Sequence, residues 1–83
     1  LQGDYEEAHS LLEESLALSR TLGNRRAIAA AMLDLGTLAD ARDDLASAES
    51  LYQESLEIGR ALDDRMMIAA SLQNLGIVAD RSR

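Results

Sequence analysis

Apolar residues return along this chain at steps of three and four, the spacing that aligns side chains on one face of a helix. Tyr5, Ala8, Leu12, Ser15, Leu16, Ser19 and Leu22 follow that spacing, with small serines inside the row. It resumes with Ile28, Ala31, Met32, Leu35, Leu38 and Ala39, and again with Leu45, Ala48, Leu51, Tyr52, Ser55, Leu56, Gly59 and Leu62. A fourth row holds Ile68, Leu72, Leu75, Val78 and Ala79. Four helices are predicted, the first starting near Asp4, the second over 25–41, the third following Asp44, and the fourth from about Arg65 to near the end.

The breaks between the rows are polar and short. Gly23 suits the left-handed conformation that ends a helix, and Asn24 can cap the next one. Arg42, Asp43 and Asp44 form the second break, and Asp63 with Asp64 forms the third. Asp4 followed by Glu7 suits a capping-box-like start. Asp accepts the left-handed conformation less readily than Gly, so the turn at Asp63 is expected to be tighter or more strained than that at Gly23. Connections this short imply antiparallel neighbours.

Laid over one another, residues 1–40 and 41–80 agree at 17 of 40 positions without a gap. Chance agreement in a chain rich in Ala and Leu would be about a tenth, so the sequence is one unit written twice. Gly36 and Gly76 are one of the repeated pairs, each in mid-helix. A glycine there costs about 1 kcal/mol relative to Ala, and its return predicts a crossing helix too close for a β-carbon.

Composition narrows the picture further. At 83 residues the chain is one small domain at most, burying only about 60% of its unfolded surface. Nearly half the residues are apolar (47%), yet there is no Phe or Trp and only two Tyr, so packing must rest on Leu, Ile, Met and Ala. With no Pro and many good helix formers, the expectation is an all-α chain. A formal net charge of -7, with scattered Arg and no Lys, argues against nucleic acid as a partner. The absence of Cys excludes disulfides and thiolate metal sites and is compatible with a reducing cytoplasm, the compartment expected here. No run approaches the roughly 20 apolar residues of a membrane span. The chain opens on Leu1 and closes on Arg83 within the pattern, so it is expected to be a piece of a longer array.

Catalytic chemistry finds little to work with. His9 is the only His, and Glu6 and Glu13 flank it at helical spacing. Exposed i,i+4 pairing is the simpler reading, since a metal site needs more ligands. Asp43 with Asp44, and Asp63 with Asp64, fall in turns where Asp caps helices. Ser10, Ser15, Ser50 and Ser55 have no His partner at a repeated position, and no glycine-rich phosphate loop is present. Arg20 and Arg60, near helix ends, complement the helix dipole. No catalytic, metal or cofactor residues are expected, and the chain is read as no enzyme.

Leu35, Gly36 and Ala39, then an acidic turn, then Asp44 and Ala48 resemble the tetratricopeptide repeat family. Leu75, Gly76 and Ala79 repeat the opening of that motif, and Gly3, Asp4, Tyr5 and Ala8 its close. The period of 40 is longer than the family's commoner 34, Asp43 stands where Gly is usual, and no Pro closes the repeat. The longer period resembles variants in bacterial regulatory and signalling proteins. The resemblance implies antiparallel helix pairs stacked as a right-handed superhelical solenoid. It implies that 1–23 is the second helix of one repeat, 24–63 a full repeat, and 64–83 the first helix of the next.

The resemblance also implies a concave groove lined by the first helix of each repeat. Here that groove would present Ala30, Leu33, Asp34, Thr37 and Asp40 from the second helix, and Ala70, Gln73, Asn74, Ile77 and Asp80 from the fourth. Family members that clamp a C-terminal carboxylate do so with Lys, Arg and Asn at such positions, where Ala30, Leu33 and Thr37 stand. Asp34, Asp40 and Asp80 would favour a basic or apolar peptide or protein, unless all three are merely solvated. Two roles follow as expectations: a non-catalytic docking scaffold within a regulatory or signalling protein, or a module whose end helices stack head to tail into homo-oligomers.

Overall fold

The computed structural model describes residues 2–82; Leu1 and Arg83, the ends on which the reading of a longer array rests, lie outside them. It contains four helices in chain order: α1 (Gln2–Leu22), α2 (Arg25–Ala41), α3 (Leu45–Leu62) and α4 (Arg65–Arg81). The all-α expectation holds, and three of the four helices begin where the punctuation predicts. Helix α1 begins earlier, at Gln2, so that Asp4 lies inside its first turn rather than capping it. Its carboxylate there still faces the positive end of the helix dipole.

The helices pack as antiparallel neighbours: α1 on α2, α2 on α3, α3 on α4, with a slight contact between α2 and α4. The result is a slab of 32 × 29 × 16 Å. Two apolar clusters run through it. One joins Leu16 of α1 to Ala31, Met32 and Leu35 of α2, with Leu51 and Ile58 of α3 against it. The other joins Ala39 of α2, Ala48 and Tyr52 of α3, and Val78 of α4. Small side chains at the contacts let the helices approach closely, which offsets the shortage of large ones.

One hydrogen-bonded turn is used three times. Gly23, Asp43 and Asp63 all have positive φ, at 68°, 63° and 54°. Each donates its N–H three residues back, and the next residue donates five residues back: Asn24 to Ser19 O at 3.0 Å, Asp44 to Ala39 O at 2.9 Å and Asp64 to Gly59 O at 2.9 Å. This pair of bonds closes the carbonyls that a helix end leaves open. The following side chain then caps the next helix: Asn24 Oδ1 accepts from Ala27 N–H at 3.1 Å, Asp44 Oδ1 from Ser47 N–H at 3.3 Å and Asp64 Oδ1 from Met67 N–H at 3.1 Å. Asp63 therefore makes the same turn as Gly23, not a tighter one, with the local cost of a left-handed Asp in place of Gly. The turns recur every 20 residues, a half-period that the 40-residue duplication hides.

Some expected inward positions are open. Leu22 is 70% exposed and Leu72 48%, and Ser15 and Ala79 are exposed too. Leu72 and Ala79 correspond to Met32 and Ala39 of α2, which are buried. Helix α3 covers that face of α2, and no described element covers it on α4.

Gly36 and Gly76 likewise part company. A β-carbon at Gly36 would fall 2.6 Å from Tyr52 Cε1, whereas at Gly76 nothing stands within 4 Å. The crossing-helix expectation holds for Gly36 and is not met at Gly76 among the described residues, where no helix stands beside the second notch as α3 does beside the first. A further close approach occurs at Gly59, where a β-carbon would meet Met67 Cγ at 3.2 Å and Ile68 Cγ1 at 3.3 Å.

Candidate functional site

The residues named for the groove fall on the side of α2 turned away from the Leu16 cluster, and on the neighbouring side of α4. Ala30, Asp34 and Thr37 are exposed on α2, one helical turn apart, while Ala31, Met32, Leu35 and Gly36 between them are buried in the packing. Leu33 is only partly open, since it packs against the Tyr52 cluster. Thr37 Oγ1 donates to Leu33 O at 3.0 Å and lies 3.4 Å from the Tyr52 hydroxyl, which donates to it. That hydroxyl ties the exposed row to the buried ring beneath.

On α4, Gln73 and Asp80 are exposed, Ala70 and Asn74 half-buried, and Ile77 45% exposed. Asp40 is half-buried and has a partner that residue order alone did not indicate. Arg81 from the end of α4 reaches back to it: one guanidinium nitrogen pairs with the Asp40 carboxylate and donates to its carbonyl oxygen at 3.2 Å. The other donates to Asp43 Oδ1 at 2.6 Å. A second ion pair of the same span joins Arg26 to Asp64. Both link positions about one repeat apart, and the only sequence signal for them is an Arg near each helix terminus.

The opposite side of α2 carries a different feature. Residues of α1 and α3 line a cleft of about 340 Å³ there, together with Leu35 and Ala39 of α2. Tyr5 and His9 are part of its lining, stacked with ring centroids 5.9 Å apart. Arg42 sits 4.1 Å above the Tyr5 ring, a cation–π contact. His9 Nε2 lies 3.7 Å from Glu13 Oε1, the i,i+4 pairing expected. No three His, Asp or Glu side chains are gathered to hold a metal ion among the described residues.

These features share one architecture with a known family. The family model described as tetratricopeptide repeat matches residues 1–61, about three-quarters of the chain. The chain belongs to the tetratricopeptide repeat family. The packed antiparallel helix pairs are consistent with that membership, and tetratricopeptide repeats in general mediate protein–protein contacts. No curated protein and no solved structure matches the chain significantly. No helix among the described residues is long and apolar enough to cross a membrane.

Proposed function

We propose that this tetratricopeptide chain is a stretch of docking scaffold that performs no chemistry of its own and takes a basic or apolar peptide on the exposed surface shared by α2 and α4. The supporting observation is the row of Ala30, Asp34 and Thr37, exposed at helical spacing beside Gln73 and Ile77. Small, short side chains leave room for a ligand backbone, and Asp34 supplies negative charge. In this reading α2 and α4 open successive repeats and α1 and α3 close them, so the docking surface spans 24–63 and continues into 64–83. Its natural setting is a larger regulatory protein of the cytoplasm. Capture of a lysine-rich helical peptide, followed by fluorescence anisotropy, tests it: Asp34→Lys should weaken binding about tenfold at low salt. Unchanged binding by that variant overturns the proposal.

A second reading is self-association through the end helices. It is favoured by the exposed leucines of α1, Leu11 at 59% and Leu18 at 60%, and by the open Leu72 of α4.

A further inference from the structure

Arginines that are scattered along the chain meet at one edge of the fold. Helices α1 and α3 end there and α2 and α4 begin there, and the ion pair from Arg26 to Asp64 ties the two turns together. Residues 19–28 and 59–68, which form this edge, carry five of the eight basic residues and only two acids, Asp63 and Asp64. Arg20, Arg25, Arg60 and Arg65 are all exposed, and among the described residues no ion pair engages them. Their exposure does not depend on where the chain begins and ends. Arg25 and Arg60 stand on α2 and α3, each packed between two other helices, and they are exposed like Arg65 and Arg20, their counterparts in the other unit.

Two of these arginines stand where they do not serve the fold. Arg20 and Arg60 lie in the last turns of α1 and α3 and complement the helix dipole. Arg25 and Arg65 are the first residues of α2 and α4, where the dipole disfavours a cation, and neither first turn holds an acid. The same unfavourable choice in both units marks a surface kept for contact. Asn24 and Asp64 already take the N–H groups of Ala27 and Met67, so a ligand meets arginine side chains here and not bare helix termini. Beside them Met66 is 84% exposed, an adaptable apolar contact.

We infer that this edge docks a short acidic peptide segment carrying an apolar residue, its carboxylates on Arg20, Arg25, Arg60 and Arg65 and its apolar side chain on Met66. Charge complementarity selects the partner, and the guanidinium fork matches a carboxylate. The slab is 16 Å thick and the chain carries a net charge of -7. A long polyanion or a membrane surface would overrun the basic strip and meet the surplus of acids beyond it, whereas a short segment ends within it. The edge is separate from the surface of α2 and α4 that carries Asp34, and its charge is opposite.

Fluorescence anisotropy with a labelled Glu-rich peptide carrying one Leu, at low salt, tests the inference. The chain should bind it, more weakly as salt is added, and should not bind the same peptide with Gln in place of Glu. Arg25→Gln combined with Arg65→Gln should weaken binding about tenfold with no fall in the thermal midpoint. Arg20→Gln combined with Arg60→Gln should weaken binding to a similar degree and lower the midpoint, because those two also complement the dipole. Asp34→Lys should not weaken capture of the acidic peptide, which keeps this test apart from that of the docking surface. No binding by the unaltered chain, or equal binding by the Arg25 and Arg65 double variant, overturns the inference. Tighter binding of duplex DNA or of phosphatidylserine vesicles also overturns it, by assigning the edge to a polyanion or a membrane. A lower midpoint in that double variant does the same, since these arginines would then be serving the fold.

Discussion

Tyr52 lies in the notch that Gly36 opens: its ring is 2% exposed, and Cε1 would stand 2.6 Å from a β-carbon at residue 36. The ring has no easy way to yield, because its hydroxyl is held by Thr37 on the same helix as Gly36. Gly36→Ala should therefore destabilise the fold by about 1–2 kcal/mol, overpacking outweighing the better helix propensity of Ala. Gly76→Ala meets open space and should stabilise by about 0.5–1 kcal/mol. Urea unfolding of both variants at low protein concentration checks the opposite signs.

Ser55 and Ser71 form a buried pair with hydroxyls 2.7 Å apart, in which Ser71 donates to Ser55 Oγ while Ser55 Oγ donates to Tyr52 O at 2.9 Å. Both serines are completely buried. Ser55→Ala should cost about 1–3 kcal/mol by leaving the Ser71 hydroxyl without that partner. Adding Ser71→Ala should recover part of the loss, since Ala31 already occupies the equivalent place in α2. A double-mutant cycle measured by thermal unfolding reads the coupling, and strictly additive losses would contradict it.

Asp63 occupies a left-handed conformation at φ 54° and ψ 41°. Asp63→Gly should stabilise by about 0.5–1 kcal/mol, a rise of a few degrees in the thermal midpoint for a domain of this size. Asp43→Gly should gain less, because Asp43 also accepts from Arg81. Equal gains at the two turns would show that the Arg81 contact contributes nothing to stability.

Arg81 neutralises Asp40 at the edge of the proposed docking surface. Both side chains are partly open to solvent, so Arg81→Ala should cost under about 1 kcal/mol of stability. The same variant should strengthen capture of a lysine-rich peptide severalfold, with the gain shrinking as salt is added. Binding unaffected by Arg81→Ala would place the peptide away from Asp40.

The sequence by itself determined what is local or periodic. The three-and-four stepping gave four helices, the Asn24, Asp44 and Asp64 positions gave their caps, and the 40-residue duplication gave the repeat family, because hydrogen bonds between near neighbours and the pitch of a helix are written into residue order. Tertiary structure decided which identical residues have different surroundings. Gly36 and Gly76 read alike, as do Ser15 and Ser55, yet one of each pair is packed and the other open, since burial depends on whether a neighbouring helix lies alongside. The same is true of Asp40, whose charge looked available along the chain until Arg81, 41 residues away, was brought beside it.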